Sequence, residues 1–360
     1  MRIAFIINTP AQLHFYRTII NQLKTHGHTI EILLRDYRET TFLADKMGLE
    51  YVKYSDYGKF KIEKVLSTPR NMLSTFKFLR SFRSDFVIGS GIVEMFPSAI
   101  LGTPRILFSD GEPQTSVATA LQLKLSIPFA NAIITPESYL QDIGKKQVRM
   151  PSFKELSYLH PNNFKPRRDI LNKMGLEEGT PFVLLRFNAF DSLHDVGING
   201  IELEAKMEMI ARLEQYAKVL ISSESPLPEE LRGYELKTPK DRIHDVLFYA
   251  SLLLTETGTM TTESAILGTP AVMIHPKADL FGNFVELREK YGLIFTFKEA
   301  RSAIEKAVEL IQRPYLKEEW SERRDELLAH KVDATRFMVD LIENFSRVRE
   351  RINNNKKKPL

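Results

Sequence analysis

The chain has 360 residues, 43% of them hydrophobic and 27% charged, with no cysteine and a formal charge of +4. That length favours two cored domains over one, and the missing cysteines exclude disulfides, thiolate metal sites and a cysteine nucleophile. So small an excess of charge gives no reason to expect nucleic acid as a partner. No apolar run approaches the roughly 20 residues needed to span a bilayer, and a cytoplasmic protein is expected.

Met1–Asn8 reads as a short strand ending in polar residues rather than as a signal peptide. Strands are predicted at Ile3–Ile7, Thr29–Leu34, Tyr51–Lys53, Phe86–Ile88, Ile106–Phe108 and Ala132–Ile134. Helical patterns lie between them at Leu13–Thr25, Arg38–Met47, Ile62–Phe82 and Ala118–Leu125. Continuous apolar strands separated by helices imply a parallel sheet covered on both faces. Leu159–Lys173, with Pro161 and Pro166, reads as a linker. The pattern then restarts, with strands at Phe182–Leu185, Ala217–Ile221, Leu252–Leu254 and Ala271–Ile274. Helices are predicted at Glu202–Gln215, Asp241–Tyr249, Thr261–Leu267 and Phe284–Tyr291, and Arg301–Gln312, Leu316–Leu328 and Ala334–Arg351 close the chain.

The expected architecture is α/β: two doubly wound, Rossmann-like domains facing each other across a cleft. The expected bounds are 1–163 for the first domain, 164–330 for the second, and 331–360 for a closing helix and basic tail. Ligands of such sheets bind beyond the carboxyl ends of the strands, so residues that follow strands are the candidates for chemistry.

The most informative stretch is Leu252–Ile274, a strand, a glycine turn, a helix, a glycine stop and a second strand. Thr257, Gly258 and Thr259 form the turn. Free N–H groups and a positive helix end suit an anion there, and Glu263, one turn past Thr259, can accept hydrogen bonds from two ribose hydroxyls. The plain alternative is a strand–helix unit with threonine caps. Arg186, at a strand end, can neutralise a diphosphate with forked hydrogen bonds. His194 is a weaker candidate in the loop that follows, Ser222, Ser223 and Glu224 can line a base pocket, and His244 is a cap or a base contact.

After the first strand, Asn8, Thr9 and Pro10 make an anion-friendly turn into a helix that carries His14 and, three residues on, Arg17. His14 can serve as base or acid near neutrality; otherwise it is a hydrogen-bonded helix residue. Asp110 and Glu112 flank Gly111 after the fifth strand. They can act as base and acid, hold substrate hydroxyls, or simply form an Asp-Gly turn. Ser90 and Gly91 fit the same rim, with Glu94 the nearest titratable group. No metal is expected, because no His cluster or third carboxylate accompanies the pair. Tyr57–Arg83 mixes basic and apolar residues. It suits either an anionic membrane surface or a core helix with a solvated basic face.

The stretch Thr257–Pro270 resembles the donor-binding motif of GT-B-fold enzymes, both the non-hydrolysing UDP-N-acetylglucosamine 2-epimerases and the lipid-II-forming N-acetylglucosaminyltransferases. Over nearly its whole length the chain is more similar to a largely archaeal domain-of-unknown-function family. Ile7–Phe15, Ser109–Glu112 and Lys154–His160 carry that closer match. The resemblance implies a GT-B fold, a ribose contact at Glu263, a diphosphate turn at Thr257–Thr259 and a basic residue at Arg186. It implies no cofactor. Where the epimerases carry an aspartate after strand four, this chain has Gly89, Ser90, Gly91 and Ile92, and the transferase's glycine-rich first loop is replaced by Asn8–Ala11.

The leading expectation is a glycosyltransferase that uses a UDP-sugar and an unknown, lipid-linked or soluble acceptor, at the inner membrane face or free in the cytoplasm. In it, His14, Asp110 or Glu112 deprotonates the acceptor. The alternatives are a sugar-nucleotide epimerase and a non-catalytic nucleotide-sugar or glycan binding protein.

Overall fold

The computed structural model describes residues 1–37, 39–56, 67–187, 201–223 and 226–354. By its internal contacts the chain divides into two compact units, Met1–Tyr158 with Val332–Leu360, and Leu159–Lys331.

The first unit is built on a seven-stranded sheet in the order β3-β2-β1-β4-β5-β6-β7. Its strands are β1 (Arg2–Ile7), β2 (Thr29–Asp36), β3 (Val52–Asp56), β4 (Phe86–Gly89), β5 (Arg105–Phe108), β6 (Ala132–Pro136) and β7 (Gln147–Met150). Every pairing is parallel. Ile3, Ala4, Phe5, Ile6 and Ile7 are all fully buried. A strand apolar on both faces can only sit at the centre of a sheet covered on both sides. Burying each large side chain contributes about 1.5–3 kcal/mol.

The second unit holds a five-stranded parallel sheet in the order β12-β11-β10-β8-β9. These strands are β8 (Phe182–Phe187), β9 (Lys218–Ser223), β10 (Leu252–Thr255), β11 (Ala271–Ile274) and β12 (Ile294–Phe297).

Strand β7, strand β12 and the Ile92–Ile100 helix are absent from the sequence reading. β7 and β12 lie at the ends of their sheets, and β7 has a single fully buried residue, Met150. Such a strand lacks the apolar run that reveals its neighbours. The Ile92–Ile100 helix contains Pro97, a residue that argues against a helix interior.

Two expectations need correction. The closing segment is two helices, Ala334–Glu343 and Phe345–Asn354, separated at Asn344. Both belong to the first unit, where the Phe345 ring meets that of Phe86 at 4.8 Å. The stretch Leu159–Lys173 is not a free linker either. Its second half is tied to the second unit through Arg242, which donates to both Asp169 and Asp245.

The Thr68–Phe82 helix buries Asn71, Thr75, Leu79 and Phe82 and exposes Arg70, Leu73, Lys77 and Arg80. That is the core-helix arrangement with a solvated basic face; residues 57–66 of the predicted basic segment lie outside the described residues. Among the described residues, no helix is long and apolar enough to cross a membrane.

Candidate functional site

In each sheet, consecutive strands run outward in opposite directions from one pair of neighbours. That pair marks the switch point, where a crevice opens beyond the carboxyl ends. It is β1 and β4 in the first unit and β8 and β10 in the second.

At the second unit's switch point, Arg186 on β8 lies in register with Thr255 of β10 and with Ser222 of β9. Its Nη1 donates to Ser222 Oγ at 2.7 Å. The chain leaves β10 through Glu256 and Thr257 into the Gly258–Leu267 helix. That helix is buried from Met260 to Leu267, and only Thr257, Gly258 and Thr259 at its head are half-exposed. The first N–H groups of a helix have no acceptor within it, so this end offers donors and a partial positive charge.

Thr257 does not cap the helix with its side chain. Its hydroxyl pairs with Thr255 Oγ1 at 2.9 Å, and its N–H donates to the same oxygen. Gly258 is closely packed: a Cβ there would lie 2.8 Å from Cζ of Phe284, so a larger residue would have to displace that ring.

Glu263 is buried within this helix, and its Oε1 is 2.9 Å from Nε2 of His244. His244 is the second residue of the Ile243–Tyr249 helix, whose N-cap makes no side-chain cap hydrogen bond. The cap role considered for His244 is therefore wrong: the imidazole points at a carboxylate. Glu256, which sequence reasoning passed over, is buried and accepts from the Ile201 N–H at 2.8 Å. It anchors the chain arriving at residue 201. Ser223 ends β9, whereas Glu224, His194 and the rest of 188–200 lie outside the described residues.

In the first unit, Thr9 caps the Pro10–Thr25 helix by accepting from the Gln12 N–H, with Pro10 at its first position, where a missing N–H costs nothing. Asn8 is fully engaged. Its Oδ1 accepts from the Tyr54 hydroxyl, its Nδ2 donates to Glu94 Oε1, and its N–H donates to Gln12 Oε1 at 2.8 Å. Glu94 is buried, and desolvation raises its carboxyl above the usual range, against the opposing pull of Asn8.

The three segments that carry the family resemblance meet here. Ser157 Oγ donates to the Phe15 carbonyl at 2.9 Å, and the Phe15 and Phe108 rings are 4.4 Å apart. Asp110 is ion-paired with Lys154, whose ammonium is also 3.6 Å from Glu155. The Tyr158 ring lies 5.3 Å from that of His14. Arg17 is half-buried, and desolvation lowers its pKa while Tyr158 acts against that. Glu112 is buried, accepting from the Leu140 N–H at 2.8 Å and from Gln114 Nε2 at 3.2 Å. It fastens the segment after β6, where the Tyr139 hydroxyl donates to the Gly111 carbonyl.

The predicted residues thus gather into two groups, each within its own unit. Lys154 and Tyr158 were visible only as part of a resemblance. Tyr54 gave no signal in sequence.

Two parallel α/β units, each with polar groups collected at its switch point, make this a GT-B-like protein. Its residues 3–347 match the model of a family described as "Protein of unknown function (DUF354)", and the chain belongs to that family. An uncharacterized protein, MJ0665 of Methanocaldococcus jannaschii, is 23% identical over 302 residues, 81% of this chain and 86% of its own length. The UDP-GlcNAc 2-epimerase of Neisseria meningitidis bound to UDP-GlcNAc superposes with a TM-score of 0.68 at 12% identity, covering 96% of this chain and all of that one. The glycosyltransferase VinC in complex with dTDP superposes with a TM-score of 0.61 at 15% identity, covering 98% and 100%.

Proposed function

We propose that the chain is a nucleotide-sugar-dependent enzyme, with the second unit holding a UDP-sugar. The observation that carries this reading is the grouping of Arg186, the half-exposed Gly258 helix head and the buried His244–Glu263 pair in that unit. A diphosphate needs the first two, as oriented donors and a fixed cation. A ribose needs an acceptor held in place, and the His244 contact holds Glu263. The epimerase and the transferase that share this fold carry UDP-GlcNAc and dTDP in their structures, which supports the same ligand class here.

The reaction we favour is glycosyl transfer. The departing diphosphate would be stabilised by the helix head and Arg186. His14, Arg17 and the carboxylates of the first unit would attend the acceptor. A lipid-linked acceptor is supported by the Val117–Ser126 helix, on which Val117, Leu121 and Leu125, spaced one turn apart, are all exposed, with Lys124 beside them.

A second reading, epimerisation, is supported by Glu94. It supplies a carboxyl close after β4, where the sequence Gly89–Ile92 contains none.

The test is to incubate the protein with UDP-N-acetylglucosamine, alone and with a hydroxyl acceptor. Release of UDP only with the acceptor supports transfer, and a new UDP-sugar formed without it supports epimerisation. Absence of any binding by UDP, UDP-sugars or dTDP-sugars would sink both.

A further inference from the structure

We propose that one helical face of the first unit, formed by Thr68–Phe82, Ile92–Ile100 and Val117–Ser126, docks on a bilayer surface that carries anionic headgroups. Its aliphatic side chains enter the lipid and its cations lie on the phosphates. The docking holds whatever reaction the chain carries out; it suits the lipid-linked acceptor considered above without requiring it.

Strands β3, β4, β5 and β6 advance across the sheet in one direction, and right-handed crossovers place the three helices between them on one side. The helices pack next to one another. Leu79 and Phe82 of the first share a cluster with Val93 of the second, and Met95 of the second shares one with Leu123 of the third.

The outer side of this layer is apolar where a solvated surface would be polar. Val117 is 85% exposed, Ile100 60%, Leu73 55% and Leu121 52%, and Phe96 and Leu125 are exposed with them. Val117, Leu121 and Leu125 form one stripe at helical spacing. Apolar residues exposed singly are ordinary, but several gathered on one face mark an interaction surface.

The charge on the same face selects the partner. The exposed ionisable residues of the three helices are Arg70, Lys77, Arg80 and Lys124, all cationic, and their one carboxylate, Glu94, is buried. Among the described residues none of these four cations is in an ion pair. Helices of the second unit differ: there Arg212 pairs with Glu208, and Lys306 and Arg313 pair with Glu309. Along the Thr68–Phe82 helix, Leu73, Phe76, Lys77, Arg80, Ser81 and Arg83 line an open depression. Apolar side chains beside three cations match the acyl chain and phosphate that a phospholipid presents together. A second copy of the chain would fit poorly. A two-fold contact joins a patch to itself, and here that sets cation against cation. Nucleic acid would use the cations and leave the aliphatic stripe in water.

The test is flotation of the full chain with vesicles of equal parts phosphatidylcholine and phosphatidylglycerol, and with vesicles of phosphatidylcholine alone. Wild type should float with the anionic vesicles, and high salt should weaken the binding by screening the headgroups. Lys77→Gln, Arg80→Gln and Lys124→Gln together should weaken it roughly 10²-fold, at about fivefold for each cation beside an anionic surface. Leu121→Ser with Leu125→Ser should weaken it by about tenfold or more. All five side chains are exposed, so both proteins should keep the wild-type melting temperature. Lys218→Gln, Arg232→Gln and Lys237→Gln together remove exposed cations of the second unit and should leave vesicle binding unchanged. Wild type that fails to float with anionic vesicles overturns the proposal, as does equal loss from the two charge-removed proteins or full binding by the serine protein. A wild-type dimer in light scattering that the two serines convert to monomer also overturns it and assigns the face to a second copy. None of these readouts uses a nucleotide sugar, so failure of the function proposed above is seen separately.

Discussion

Replacing Glu263 by glutamine tests the nucleotide reading with little disturbance of the fold. Glutamine keeps an oxygen where Glu263 Oε1 now lies, 2.9 Å from His244 Nε2, so that contact survives and only the charge is lost. A hydrogen bond to a charged group is worth about 1.5–3 kcal/mol, which corresponds to roughly 10- to 150-fold in affinity. UDP-sugar at a hundredfold excess over its wild-type dissociation constant stabilises the folded state by about 2.7 kcal/mol. With affinity about thirtyfold weaker, the same concentration gives about 0.9 kcal/mol. At roughly 2–4 °C per kcal/mol for a domain of this size, the thermal shift should fall from about 5–11 °C to about 2–4 °C. Differential scanning fluorimetry with UDP-N-acetylglucosamine reads this directly, and the ligand-free melting point of each protein serves as its own baseline. Equal shifts in the two proteins would show that Glu263 touches no nucleotide and that its pairing with His244 is purely architectural.

Gly258→Ala should drive a Cβ against the Phe284 ring, which would sit 2.8 Å away. Overpacking of this kind costs about 1–3 kcal/mol, seen as a lower denaturation midpoint together with weaker UDP binding; an unchanged midpoint refutes the packing argument. Arg242→Met should cost about 1.5–3 kcal/mol, because Asp245, buried beside it, loses a charged hydrogen bond and keeps only its Arg167 contacts; urea denaturation measures it, and a loss below about 1 kcal/mol would mean the network is a surface one. Lys317 donates to the Phe248 carbonyl at 2.9 Å and to Thr269 Oγ1 at 2.6 Å, and burial lowers its amine to about 7 from an ordinary 10.5. Between those values the unfolded chain binds the extra proton, so stability should rise with pH across the window and the charged form should cost most below pH 7. Lys317→Met should therefore gain melting temperature over wild type at pH 6 and lose that gain by pH 10; parallel pH curves would refute it.

The sheets were legible because their central strands are apolar on both faces. Ile3–Ile7 and Leu252–Leu254 announce themselves as buried, and the glycine turn at Gly258 marks where one of them meets a helix. Edge strands gave little signal, since β7 alternates nothing and buries only Met150 fully. The nucleotide-side candidates were legible for a related reason: helix head, glycine and carboxylate lie within one short stretch of chain. The partners of those residues were not. Glu263 and His244, or Asp110 and Lys154, are brought together by the fold from separate segments, and no local pattern couples them. Glu94 showed in sequence only as the titratable group nearest the rim, and its link to Asn8 and, through Asn8, to Tyr54 in β3 is made by the fold.

Glu263 and Glu94 invite a direct comparison. Each is a buried glutamate on a helix that follows a strand at its sheet's switch point, Glu94 in the first turn and Glu263 beyond it. A helix beginning favours negative charge in its first turn by a few tenths to about 1 kcal/mol, so Glu94 gains from it and Glu263 does not. Their partners differ as well. Glu263 faces an imidazole that fixes it, the arrangement wanted of a group that must hold hydroxyls without exchanging protons. Glu94 has an amide on one oxygen and is wholly enclosed against the backbone of the turn after β4, the arrangement of a group that braces that turn. The two substitutions should therefore separate. Glu263→Gln should raise donor KM with kcat largely kept, as for an interaction made equally in ground and transition states, and Glu94→Gln should lower the ligand-free melting temperature with donor KM largely kept. If both moved the same parameter, the distinction drawn from their partners would be wrong, and the two carboxyls would have to be assigned a common role.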